Sequence, residues 1–265
     1  MGGRNLQLSE RENTHRWEGD QAKVERAGSR ALERNRSEAW PKPGAAEATK
    51  SKRSRFRAAL FFCPNRDIAA LDIDWNTHAA GWDDDPDVQH YAREALTSLR
   101  SQMDPDRLHI LDFGCGTGLL TVDLAQTAAH VIALDPAEKM IGVLAHKGLN
   151  NVTTFNATLS AELIDREPAF AAPFDLVTAA SVCAFLPDYT ATLRLLRKLL
   201  RPGGHLVQWD WLATDETDDF GFSAHDLRAI RTAADFDVVS IDVAFSISRD
   251  ADGPMQVLQA VARKP

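Results

Sequence analysis

Cysteine is scarce in this chain of 265 residues, and the three present, Cys63, Cys115 and Cys183, lie far apart with no paired spacing. An odd, scattered set excludes a disulfide framework and the spacing of a zinc site, so reduced thiols in a cytoplasm-like compartment are expected. No apolar run approaches the roughly 18 residues of a membrane-spanning helix, and the N-terminus lacks the apolar core of a secretion signal. Carboxylates and histidines form no group with recognisable ligand spacing, so no metal is expected. What remains is a soluble, cytoplasmic protein, and 44% hydrophobic residues are enough for one enzyme-sized core plus an appendage.

The net charge of −8 conceals two different materials. Residues 1–57 carry 14 Lys/Arg against 8 Asp/Glu, leaving 16 against 30 for residues 58–265. The basic part has few aliphatic residues and no sustained period of 3.6 or 2. It cannot bury enough surface to offset its ordering entropy and is predicted to be a disordered tail. Its most basic stretch, Lys50 to Arg57, is read as a solvated linker in preference to a nucleic-acid or import patch. The acidic remainder argues against extensive phosphate contacts, hence against nucleic acid as a partner.

Residues 58–105 form a predicted lid and helix. Asp85 can cap, Pro86 suits the first helical position, and Val88, Tyr91, Ala92, Ala95, Leu96 and Leu99 recur at spacings of three and four. From 106 to 265 the pattern alternates. Strands are predicted at 108–111, 131–134, 152–155, 174–178 and 205–209, with helices from Gly118, over 136–147 and over 190–200, the last ended by Arg201-Pro-Gly-Gly204. Such alternation means a Rossmann-like α/β fold, a doubly wound parallel sheet. A capping box at Ser223–Asp226 opens one more helix. Strands near 238–243 and 255–262 then follow without a helix between them, around a turn at Asp252-Gly-Pro254, and so form an antiparallel hairpin.

Chemistry concentrates at the first turn. A hydrophobic strand runs into Gly114, Gly116 and Gly118 and then a helix. Glycines there let the backbone turn sharply and approach a nucleotide-type ligand at the carboxyl end of a strand. Asp135 ends the next strand, where a carboxylate can accept both hydroxyls of a ribose. A nicotinamide dinucleotide wants its third glycine one residue later, where Leu119 stands. Asp112, at the mouth of the turn, would repel a pyrophosphate but suits a ligand carrying an ammonium and a sulfonium.

Asp112-Phe-Gly-Cys-Gly-Thr-Gly118 resembles the acidic, glycine-rich motif of class I S-adenosylmethionine-dependent methyltransferases, and Val131–Met140 resembles their second motif. Phe174–Val177 and Leu199–Leu206 resemble later signatures, and the likeness runs from about Trp75 to Lys264. It is nearest to the small-molecule enzymes of the ubiquinone and menaquinone type. The resemblance implies S-adenosyl-L-methionine as cofactor, a small organic methyl acceptor, and a sheet of seven strands with an antiparallel last strand. Gly114, Gly116 and Gly118 would meet the methionine portion, Asp135 the ribose, and Asn156 with Ala157 the adenine. Here Asn156 stands where the family often has an acid.

Around the acceptor, Ser181, Trp209, Asp210, His225, His78 and Trp82 are the candidates, with Asp210, His225 and His78 the possible bases. Phe220 and Phe222 would make the wall partly aromatic. A sulfonium is already an activated donor, so a base is optional. The region near Ser181 reads Ser-Val-Cys-Ala, without the tetrapeptide of nucleic-acid amino methyltransferases, and Cys183 lacks the Pro-Cys context of a cytosine-methylating nucleophile. A buried thiol is expected there. The competing readings are a cofactor-binding module without catalysis and, disfavoured by the turn, an NAD(P)-dependent oxidoreductase.

Overall fold

The computed structural model describes residues 73–213, 221–247 and 254–265. The predicted tail at 1–57, the first part of the predicted lid, Phe220, and most of the Asp252–Pro254 turn lie outside these residues. Helix α1 (Pro86–Gln102) forms as its sequence dictates. The Asp85 carboxylate accepts from the amide of Asp87, Pro86 opens the helix, and Val88, Tyr91, Ala92, Ala95 and Leu99 are buried.

Seven strands follow: β1 (His109–Phe113), β2 (His130–Asp135), β3 (Val152–Asn156), β4 (Phe174–Ala180), β5 (Leu200–Trp211), β6 (Asp237–Ile247) and β7 (Met255–Arg263). Between them lie α2 (Leu119–Ala125), α3 (Glu138–His146), α4 (Ala161–Arg166), α5 (Tyr189–Leu199) and α6 (Ala224–Ala233). The sheet order is β3-β2-β1-β4-β5-β7-β6. The first five strands are parallel, and β7 runs antiparallel to both β5 and β6. The doubly wound sheet with its antiparallel last strand is therefore as expected. Chain order reverses between β1 and β4, which opens a crevice at their carboxyl ends.

Both faces of the sheet are covered. One core contains Tyr91, Leu99, Leu124, Trp209 and Trp211, the other Phe113, Phe174, Leu193, Leu196 and Phe236. Each such side chain contributes about 1.5–3 kcal/mol when removed from water. Among the described residues, no helix is long and apolar enough to cross a membrane.

Two local features differ from the sequence reading. Helix α4 leaves no signal in the sequence, because six residues are too short to show a period; Ser160 caps it by accepting from the Leu163 amide. The Arg201–Gly204 stop lies inside strand β5 rather than before it. Phe174 pairs with Leu200 and Leu176 with His205, so β5 bulges outward between them. Gly204 makes this feasible, since a Cβ there would meet backbone oxygens of Arg201, Phe174 and Asp175 at 3.0–3.2 Å.

Candidate functional site

The crevice is a cavity of about 420 Å³ lined by the glycine turn, the ends of β2 and β4, α1 and the segment before it. Such a volume suits a small ligand. Amides of Gly114 and Cys115 both donate to the Leu134 carbonyl, at 2.8 and 3.2 Å, so the turn is tied to the end of β2. All three motif glycines have positive φ, yet their surroundings differ. A Cβ on Gly114 would stand 2.4 Å from Val182 and one on Gly118 2.4 Å from Leu144, whereas one on Gly116 would meet nothing within 4 Å. The outer glycines let protein pack against the turn; Gly116 keeps a surface of the cavity open.

Asp135 reinforces this arrangement. Its carboxylate accepts the Gly116 amide at 2.9 Å and the Ala137 amide at 2.8 Å. Burial pushes its pKa up while those two amides pull it down. Each oxygen retains capacity for a further donor from a ligand.

Asp112 is almost fully buried beneath the turn and accepts hydroxyls from Thr121 at 2.5 Å and Thr178 at 2.9 Å. Burial raises its pKa to about 6, against the opposing effect of the two hydroxyls. An acid whose folded pKa lies above its unfolded value stabilises the fold at low pH and loses that contribution as pH rises through about 6. Asp112→Asn removes the titration and keeps the shape. Between pH 5 and pH 8 the variant is expected to gain about 1–1.5 kcal/mol of stability relative to wild type, read as a widening difference in melting temperature. A constant difference across that range in pH-resolved thermal melts would contradict the buried carboxylate.

Aromatic residues roof the cavity. Trp75 and Trp82 open two short 3-10 turns, at Trp75–Thr77 and Trp82–Asp84. Trp75 meets Phe185 edge-on with centroids 5.1 Å apart, and Trp82 at 6.1 Å. Asp83 fastens the roof to the glycine turn: it accepts the Thr117 hydroxyl at 2.5 Å and pairs with Lys147 at 2.7 Å. Asn76 accepts the Lys139 amide at 2.9 Å.

The structure brings Asp112, Gly114, Gly116, Asp135, Ala157, Ser181 and Trp82 into one cavity. Gly118 sits just behind it, packed on Leu144. Asn156 is exposed, and its side-chain amide donates to the carbonyls of Asp135 and Pro136 at 3.2 and 2.9 Å. His78 is half-buried beside the roof, its ring 5.9 Å from Trp75 and 6.3 Å from Trp82. Burial lowers its pKa, against the nearby Asp74 charge.

The acceptor-side expectations need correction. Trp209 and Asp210 are both 0% exposed and stand away from the cavity wall. Strand β5 is covered on both faces, so its alternation turns Trp209 toward α1 and Asp210 to the opposite side. His225 is exposed on the first turn of α6, away from the cavity. Phe222 packs on Tyr189 at 5.1 Å instead of lining the site. Cys183 is buried, and burial pushes its thiol pKa well up, which fits an inert thiol.

Tyr91, Thr117, Met140, Phe185 and Leu186 join the lining without having been singled out. Tyr91 reads only as an apolar position of α1, yet its hydroxyl donates to the Trp209 carbonyl at 3.0 Å. Phe185 lies in a 3-10 turn, Cys183–Phe185, too short to leave a periodic signal. Thr117, inside the glycine motif, was the one readable in principle.

Comparison with known proteins points the same way. The model of the methyltransferase domain family matches residues 111–206. The ubiquinone biosynthesis O-methyltransferase of Marinobacter nauticus is 34% identical over 97 residues, 36% of this chain and 41% of that protein. The alignment thus spans about two fifths of the relative's length. Among solved structures, the DhpI complex with S-adenosylhomocysteine superposes with a TM-score of 0.55 at 25% identity, over 72% of this chain and 93% of that one. The N-methyltransferase NodS of Bradyrhizobium japonicum gives 0.53 at 22% identity, over 75% and 95%, a likeness of fold. With a matched domain spanning the glycine turn and part of β5, and a seven-stranded sheet ending on an antiparallel strand, residues 111–206 of the chain are similar to the methyltransferase domain family.

Proposed function

We propose that this chain transfers a methyl group from S-adenosyl-L-methionine to a small organic acceptor by in-line displacement, in the cytoplasm. One observation carries the reading: the open face of Gly116 and the Asp135 carboxylate that accepts its amide border the same cavity. A backbone with no side chain in the way, next to an acceptor for two hydroxyls, is what a nucleoside-bearing ligand needs. The residues present therefore fit the cofactor. Gly114, Gly116 and Gly118 shape the methionine side, with Asp112 beneath them favouring a cationic group. Asp135 would hold the ribose, Ala157 would face the adenine, and Asn156 would contribute from the rim. Ser181 closes the side next to β4.

When bound, the cofactor supplies an activated methyl on a sulfonium. The protein's own part is to hold it, orient an acceptor against it and keep water out. Trp75, Trp82 and Phe185 are suited to the last task, and their apolar faces favour an acceptor with an apolar body. Neither Asp210, His225 nor His78 lines the cavity, so the reading assigns none of them as base. The division is a lid and helix over 58–105 followed by the catalytic domain over 106–265.

Titration calorimetry tests this directly. S-adenosylhomocysteine is expected to bind in the micromolar range, about −8 kcal/mol, with NADH giving no heat. NADH binding in its place would overturn the assignment of the turn. Binding without methyl turnover on any of a broad acceptor panel would favour a cofactor-binding module.

A further inference from the structure

Residues 74–85 form a strap that crosses the crevice before the chain enters α1, and little buried surface holds it there. Of these residues only Ala79 is buried, in a small apolar cluster with Ala137 and Met140. The strap lies along α3. At the start of that helix Asn76 accepts the Lys139 amide at 2.9 Å, where the N-cap residue, Ala137, has no side-chain acceptor to offer. At its end Asp83 pairs with Lys147 at 2.7 Å, both side chains being half-buried. Trp75 meanwhile reaches across the crevice to Phe185, beyond β4.

Asp83 joins these fastenings to the cofactor turn. One oxygen of its carboxylate takes the Lys147 ammonium and the other the hydroxyl of Thr117, at 2.5 Å. Thr117 stands between Gly116 and Gly118 and is buried. A single carboxylate thus ties strap, α3 and glycine turn together, while Trp75 and Trp82 line the same cavity as Gly116 and Asp135. A segment with so few buried apolar contacts opens locally at small cost. One charge-assisted hydrogen bond and one half-buried ion pair shift a balance between open and closed by about 10-fold to 100-fold, so the strap is held shut without being locked. Gly81, with a φ of 83° between the two 3-10 turns, supplies a hinge.

We propose that Asp83 is a positioning residue: by holding Thr117 and Lys147 together it latches the strap over the cofactor turn, and the cofactor enters and leaves when that latch opens. The inference rests on the methyltransferase reading only for naming the ligand. A latch raises the barrier to entry and to exit alike, so its loss speeds both. Loss of a contact that merely shapes the binding surface speeds exit alone.

Stopped-flow tryptophan fluorescence with S-adenosylhomocysteine tests this on the full chain, since Trp75 and Trp82 border the site. Asp83→Ala is expected to raise the dissociation rate at least about 10-fold and the association rate at least about 3-fold. Asp83→Asn keeps an oxygen for Thr117 but no charge for Lys147, and falls between alanine and wild type. Lys147→Met, which removes the same ion pair from the other side, speeds both rates to a similar degree. Raising salt from about 0.05 to 0.5 M screens a half-buried pair, so it speeds both rates in wild type and leaves them unchanged in Lys147→Met. Association unchanged or slowed in Asp83→Ala overturns the latch. Should that variant not fold, equal rates in wild type and Lys147→Met overturn it by themselves. Hydrogen exchange of the ligand-free protein separates the two readings. Amides of Thr77, His78, Asp84 and Asp85 are bonded within the strap, and their protection is expected to fall about 10-fold in Asp83→Ala while β1 and β4 keep theirs. Absence of S-adenosylhomocysteine binding in wild type condemns the cofactor assignment, whereas unchanged exchange at those four amides condemns the latch.

Discussion

Asp135→Ala is expected to weaken S-adenosylhomocysteine binding by at least about 100-fold, because two hydroxyls of the ligand would lose a charged acceptor worth about 1.5–3 kcal/mol each. The substitution also frees the amides of Gly116 and Ala137, which the carboxylate holds at 2.9 and 2.8 Å, so part of the loss is a less ordered turn. Asp135→Asn divides the two effects. It keeps one oxygen as an acceptor and the side-chain volume, and is expected to fall between alanine and wild type. Calorimetry on the three proteins measures the order. An alanine variant within a few-fold of wild type would mean that the ribose is held elsewhere.

The second large effect comes from the smallest change. Gly116→Ala places its methyl group in open space with nothing of the protein within 4 Å, so the cost to folding is confined to the left-handed φ of 54°, about 1–2 kcal/mol. The same methyl group occupies the surface that the ligand must approach. Binding of S-adenosylhomocysteine should fall by about 100-fold or more while the melting temperature drops only modestly. Gly118→Ala behaves in the opposite sense. Its Cβ would stand 2.4 Å from a Leu144 methyl group, so the Leu144 side chain or α3 must move and stability falls before binding is considered. Thermal melts and calorimetry on this pair distinguish a glycine kept for a ligand from one kept for packing. If Gly116→Ala bound normally, the ligand would not lie on that turn.

These two residues differ in how they could be known beforehand. Gly116 and Asp135 are legible in the sequence because the constraint on each is local: a turn between a strand and a helix, and the last residue of the next strand. Parallel pairing then brings them together, since Asp112 pairs with Ala133 and Phe113 with Leu134, leaving the turn and Asp135 at the same end of the sheet. Asp210 follows a different rule. It stands at the carboxyl end of β5, as an acceptor-facing residue would, but whether an end-of-strand side chain meets a cavity or a helix depends on what covers that face. Here α5 and α6 contribute Tyr189 and Arg231, which organise Gln208 against it. The same covering puts Phe222 on Tyr189 and leaves His225 exposed.

The sequence by itself determined the alternation of strands and helices, the start of α1 and the place of the cofactor turn, because periodicity, capping and glycine φ are short-range properties. Even the antiparallel hairpin at the end was readable from the absence of a helix between two strands. Tertiary structure alone decided the rest of the site. Trp75 reaches Phe185, Asp83 fastens the roof to Thr117 and Lys147, and Tyr91 turns from a core position into part of the wall with its hydroxyl on the Trp209 carbonyl. Each of these contacts joins residues 34 or more positions apart in the chain. Their side chains meet only after the sheet has assembled and its helices have chosen faces, and that choice is made by the packing of the whole core.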